Sequence, residues 1–151
     1  WFFGGAIRLE KKAGTSLGML PEAPLPEDLA WAKPSAEVAG AFAAFAREIE
    51  KAGETAIPEK VRAAIKEAIA TWDGSDPGTG TAWMEAMLKR LDEPDITAGR
   101  LALLAALAPY RITEELVTAF SAQFPEDADL LSVLAWGSFT AARKIGTWLY
   151  V

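Results

Sequence analysis

From Ala36 onward the apolar side chains recur at intervals of three and four rather than two, a period that lets them line one face of a helix but not of a strand. The 30 alanines reinforce this, because Ala has the highest helix propensity of any residue. Proline and glycine then cut the pattern into pieces. The fold class that follows is all-α: a compact bundle of about six helices, residues 35–151, preceded by an N-terminal opener and a Pro-rich strap, residues 1–34.

The pieces can be placed along the chain. The segment Phe2 to Lys12 reads as a short helical opener. Pro21, Pro24, Pro26 and Pro34 restrict the next stretch to an extended strap, because each lacks a backbone N–H. Ser35 is suited to cap a first helix with Val38, Phe42, Phe45 and Ile49 facing inward, and Gly53 is a natural place for it to stop. Pro58 opens a second helix whose inward stripe is Val61, Ile65, Ala68, Ile69 and Trp72 and which ends at Asp73-Gly74. After the turn-rich run Asp73 to Gly80, a third helix capped by Thr79 or Thr81 carries Trp83, Met84, Met87, Leu88 and Leu91. A fourth follows Asp95 with Ile96, Leu101, Leu104 and Leu107 inward, and Pro109 ends it. Thr113 caps a fifth, with Glu114 and Glu115 at the positive end of its dipole and Leu116, Val117, Phe120 and Phe124 inward. The last runs from Asp127 or Asp129 to about Leu149, with Leu130, Leu134, Phe139, Ala142 and Ile145 on its packing faces.

Composition removes whole classes of chemistry. There is no Cys and no His, so the chain has no thiol nucleophile, thiolate metal site or imidazole base of its own. Fifteen basic against 21 acidic side chains give a net charge of −6, which disfavours nucleic acid and anionic membrane surfaces as partners. No stretch approaches the ~20 apolar residues of a membrane span. Absence of Cys fits the cytoplasm, the compartment we expect, and fits a secreted cysteine-free domain equally well. The chain opens on Trp1 rather than Met, so its apolar start could be the tail of a longer sequence.

Order, spacing and endings of these helices, from Ala36 to Leu149, resemble the alkylhydroperoxidase D and carboxymuconolactone decarboxylase superfamily. The residues that carry the resemblance are Ile57-Pro58-Glu59-Lys60-Val61-Arg62, similar to the family's "LP..LR" entry to its active-site helix, and the C-terminal half. There Arg100 to Leu104, Ala108-Pro109-Tyr110 with Thr113-Glu114-Glu115, and Ala135 to Gly146 resemble the closing helices. The resemblance implies a small helical protein that works as an oligomer. In the peroxidase branch it also implies a Gly followed by Cys-x-x-Cys, with a Glu upstream and a His beyond. Here Ser75-Asp76-Pro77-Gly78 stands after Gly74 in place of the dithiol, Ala82 falls near the His and Ala63 near the Glu. A serine hydroxyl cannot replace a peroxidatic thiolate, nor can Ser and Gly form a disulfide. The decarboxylase branch resembles an acid–base enzyme with a His in its pocket, and that group is missing too.

What remains for a site is a set of carboxylates and aromatics. Asp73 and Asp76 flank Ser75 in the turn-rich loop, and with Glu85 they are the candidate acid–base groups; Asp-Gly and Asp-Pro are also ordinary turn pairs. Trp72, Ser75, Trp83, Tyr110 and Trp136 are the candidate ligand-binding residues, on the view that Trp72 and Trp83 bracket the loop while Trp136 lies on the last helix. Core or oligomer-interface packing explains the same tryptophans. The glycines of the loop match neither phosphate-binding fingerprint. Arg143-Lys144 reads as a favourable charge pair near a helix C-terminus. We expect no cofactor and no metal. The expected function is that of a redox-inactive member of the superfamily, binding a small apolar ligand or serving as an assembly or scaffold subunit, as a homo-oligomer or within a larger complex. The alternative is a non-thiol lyase or isomerase acting on a small organic acid through the loop carboxylates.

Overall fold

A computed structural model describes residues 14–15, 17–93 and 95–149. The opener at Phe2 to Lys12 lies outside the described residues. Among those that are described every regular element is helical, with no strand. Six α-helices follow the strap, as the periodicity requires: α1 Ala36–Ala56, α2 Glu59–Thr71, α3 Ala82–Leu88, α4 Asp95–Leu107, α5 Glu114–Ser121 and α6 Asp127–Leu149. Short 3-10 turns occupy Leu17–Met19, Glu27–Ala32 and Pro109–Arg111. The chain divides into two compact units, Trp1–Ala46 and Arg47–Val151.

In the first unit the strap is only partly extended. Residues 21–26 have no regular structure, but Glu27–Ala32 winds into a 3-10 helix that buries Leu29 and Ala32. The reason is local: no proline falls between Pro26 and Pro34, and the backbone from Glu27 is free to form i to i+3 bonds such as Leu29 N–H to the Pro26 carbonyl. Trp31 meets Phe42 edge to face at 4.8 Å between ring centroids. Ser35 caps α1 through its hydroxyl, which accepts from the Val38 N–H at 3.4 Å. The inward stripe expected for this helix is corrected here. Val38 and Phe45 are exposed, and the buried positions are Ala43, Ala44 and Ala46.

The second unit is built around α4. Ala98, Leu101, Ala102, Leu103, Leu104, Ala105 and Leu107 are all buried, and from Leu101 to Leu107 the helix is apolar all round, as a central helix must be. Its neighbours are α2, α3, α5 and α6, with α6 making the most extensive contact. The α4–α6 crossing is close because Gly137 has no side chain. A Cβ there would lie 2.5 Å from the Ala102 carbonyl oxygen and 3.2 Å from its carbonyl carbon.

That crossing sets the rotation of α6 and corrects the faces expected for it. The buried residues are Val133, Trp136, Gly137 and Ala141, while Leu130, Leu134 and Phe139 are half-buried and Ala142 and Ile145 face outward. It also explains why α1 does not stop at Gly53. Trp136, next to Gly137, is fully buried, and its indole fills the space a Cβ on Gly53 would need. Gly53 is therefore an interior contact, and α1 continues until Ile57 and Pro58 end it. The Trp136 Nε1–H donates to Glu50 Oε2 at 3.2 Å. Glu50 also takes Lys66 of α2 at 3.1 Å and Arg143 of α6 at 3.2 Å, so one carboxylate ties three helices. Lys144 Nζ donates to the Ala70 carbonyl in the last turn of α2 at 3.1 Å. The pair expected to serve the C-terminus of its own helix therefore serves neighbouring helices instead.

Two smaller features also follow from sequence. Thr113 caps α5 by accepting from the Leu116 N–H at 3.4 Å, as expected. Asp95, the buried charged residue among those described, starts α4 and is paired with Lys60 at the beginning of α2. The hydrogen bond to Asp95 holds the Lys60 ammonium above its ordinary pKa.

Gly137→Ala should gain about 1 kcal/mol of helix propensity and still lose about 2 kcal/mol or more net, because the obstacle is backbone and cannot rotate away. Gly80→Ala, where nothing lies within 4 Å of the added carbon, should be neutral within about 0.5 kcal/mol. Urea denaturation of the two variants against the parent checks both; equal stability of all three would contradict the packing described.

Candidate functional site

Residues 72–81 link α2 to α3 in the position where the resemblance places a redox dithiol. Helix α2 ends because Trp72 turns extended, at φ −69° and ψ 134°. Asp73 then accepts from the Ser75 N–H at 3.0 Å and the Ser75 hydroxyl at 2.6 Å, forming an Asx turn. Gly74 has φ +92°, a left-handed conformation, and a Cβ there would also press on the Trp148 ring at 3.0 Å. A second Asx turn follows, in which Asp76 accepts from the Gly78 N–H at 2.7 Å and Gly78 takes φ +77°. The Trp72 Nε1–H donates to the Ser75 carbonyl at 2.8 Å.

The turn after α4 braces this loop from outside. Tyr110 donates its hydroxyl to Asp76, 3.2 Å from Oδ2 and 3.3 Å from Oδ1. Arg111 donates to three successive carbonyls, Gly78 at 3.0 Å, Thr79 at 3.0 Å and Gly80 at 2.9 Å. Its guanidinium also lies 6.0 Å from the Trp83 ring centroid. A chain that turns through 73–80 leaves its carbonyls without helical partners, and a planar guanidinium with five donors can satisfy several at once.

Proton affinities follow these bonds. The Ser75 hydroxyl and then the Ser75 N–H hold Asp73 below its ordinary carboxylate value. Partial desolvation of its hydroxyl, and then the Asp76 carboxylate it faces, hold the Tyr110 phenol above its ordinary value. Glu85 accepts from the Thr81 hydroxyl at 2.9 Å, one turn along α3.

The sequence candidates are thus distributed as follows. Asp73, Ser75, Asp76 and Tyr110 belong to one exposed hydrogen-bonded loop, with Trp72 as its inner wall. Glu85 faces solvent on α3. Trp83 is half-buried, and its ring N–H has no partner. Trp136 lies in the core, on the Gly53 contact, away from the loop residues it was grouped with. A small groove between α2 and α3 is lined by Ala64, Glu67, Ala68, Thr71, Met87 and Arg90, and by none of the candidate aromatics. Ala63 and Ala82, at the positions of the family's Glu and His, are both exposed. Tyr110, a ligand-binding candidate from sequence, instead grips the loop itself together with Arg111. The Glu50, Lys66, Arg143 and Trp136 cluster was missed, because residues 50, 66, 136 and 143 share no local spacing. Among the described residues no group of three or more acidic side chains is placed to hold a metal.

Comparison with known proteins gives one relation of substance. The chain is 36% identical over 147 residues to Alkyl hydroperoxide reductase Rv2159c of Mycobacterium tuberculosis, a match covering 97% of this chain and 42% of the relative. It therefore spans less than half the length of that protein. No family model matches the chain, and no solved structure does so.

Replacing Ser75 with Ala should raise the Asp73 pKa toward the ordinary carboxylate range. A lowered folded-state pKa means that these bonds stabilise the loop above the unfolded pKa of Asp73 and lose that effect as pH falls through the folded one. Carboxyl-carbon NMR titration of parent and variant reads the shift directly; identical titration curves would contradict the Ser75 hydroxyl bond to Asp73. Arg111→Ala should cost about 1 kcal/mol at this half-buried position and speed amide exchange across 74–81, with the helices unaffected. The all-helical fold and the 36% identity over 97% of this chain agree with the alkylhydroperoxidase D-like resemblance, while the Cys-x-x-Cys and His are absent from the sequence.

Proposed function

We propose that this protein is a redox-inactive member of its family that works through its surfaces, as an assembly or scaffold subunit. The observation that supports this reading best is the state of the loop that replaces the dithiol. With no Cys anywhere, no residue of this chain can supply a peroxidatic thiolate. The polar groups that took the place of the dithiol are engaged with one another: Asp73 with Ser75, Asp76 with Gly78 and Tyr110, and the loop carbonyls with Arg111. A loop braced in this way favours a structural use of the old catalytic position over a chemical one. The packing helices around it are intact, and large apolar side chains remain exposed on them, among them Leu131, Ile145, Trp148 and Leu149. A chain of 151 residues that leaves such groups in water is suited to cover them by association.

The name of the relative, Alkyl hydroperoxide reductase, describes peroxide chemistry for that protein. For this chain we expect no peroxide consumption above the protein-free rate when a dithiol donor is supplied. Native mass spectrometry at micromolar concentration should show a species heavier than one chain, either a homo-oligomer or a complex with a co-purifying subunit. Peroxide turnover by the purified chain, or a monodisperse monomer throughout the concentration range, would overturn the proposal.

A further inference from the structure

Resting on the assembly reading above, we infer that the outer face of α6 is a homotypic interface, on which a second copy of this chain lays its own α6 antiparallel. The outward positions of this helix are Leu131, Ser138, Ala142, Ile145 and Leu149, and the half-buried Ala135 completes their row. Leu131 is 67% exposed and Leu149 81%, so the ends of the row stand clear of the unit's own core. Successive members are separated by four, three, four, three and four residues, the spacing of the seam that joins two coiled helices. At about 100° per residue they lie opposite the Val133, Trp136, Gly137 and Ala141 face that packs on the core. A solvent-facing helix stripe is ordinarily charged; this one carries no charge over roughly 27 Å, taking the 1.5 Å rise per residue.

Three features select a second copy as the occupant. First, the row is symmetric about position 140. Running two copies antiparallel sets Leu131 opposite Leu149, Ala135 opposite Ile145 and Ser138 opposite Ala142, so that small meets large toward each end and two small layers let the helices approach at the centre. A parallel pair would stack Ala135, Ser138 and Ala142 on themselves and leave three consecutive layers unfilled. Second, a chain of net charge −6 repels itself, and an uncharged strip is where two copies can meet without placing like charges opposite each other. Third, antiparallel helices align their dipoles favourably. The one polar member, Ser138, already donates its hydroxyl to the Ala105 carbonyl at 3.2 Å and brings no unmet donor to the seam. A single helix pair lies at the small end of specific interfaces, so association in the micromolar range is expected.

The cysteine-free chain allows a direct test. Leu131→Cys and Leu149→Cys are made separately in the full chain and treated with a short bismaleimide, alone and mixed, at a concentration where the parent self-associates. The mixture should give a crosslinked dimer containing one of each variant, while each variant alone should give none, because equivalent residues are then far apart. Crosslinking of Leu131→Cys with itself, or no crosslinking in the mixture while the parent is oligomeric, would overturn the α6 pairing and leave the assembly reading standing. A parent that never self-associates would overturn this inference, and a co-purified partner would then carry the assembly reading without it. Circular dichroism of the two exposed-site variants should match the parent.

Discussion

Everything in the second unit is organised by one close approach, that of Gly137 on α6 to the Ala102 carbonyl on α4. Because no Cβ can enter that gap, the two longest apolar helices of the unit meet almost backbone to backbone, and the rotation of α6 is decided there. The next residue along, Trp136, is the largest side chain in the core, and it is carried by that rotation into the space over Gly53. Its indole N–H then reaches Glu50, which also collects Lys66 and Arg143. A chain of contacts thus runs from one missing side chain to an ion cluster on three helices. A glycine and a tryptophan side by side determine which residues α6 turns inward and, as a consequence, which it must leave in water.

The same logic separates this chain from the peroxide chemistry its family resemblance suggests. The loop between α2 and α3 keeps its place in the fold, but its side chains serve geometry. Asp73 and Asp76 shape two turns, Gly74 and Gly78 supply the left-handed conformations those turns require, and Tyr110 with Arg111 clamps the result. Such a loop keeps α2 and α3 in register. In the proposed reading the protein works through its surface, and the uncharged outer face of α6 departs from the charged face a solvated helix ordinarily shows.

Much of the architecture was legible in the sequence because helix period, Pro and capping residues are local signals. The helix number, the Thr113 cap and the Pro58 start follow from them. The rotation of each helix was less legible, since it depends on which small residues meet across space. Gly53 reads as a stop and is in fact a packing socket for a residue more than 80 positions away. Val38, Phe45, Ala142 and Ile145 read as core and face outward. The candidate site was legible as a turn-rich loop, but its bracing by Arg111 was not, because nothing local marks an arginine that will bind three carbonyls some 30 residues back in the chain.

The central claim is that this chain acts by association through α6. Sedimentation velocity over a wide concentration range, comparing the parent with Ala142→Arg, tests it most directly, since Ala142 is exposed and the change leaves the folded core untouched. The account predicts a sedimentation coefficient that rises with concentration for the parent and stays at the single-chain value for the variant. Concentration-independent, identical sedimentation of the two proteins would contradict it.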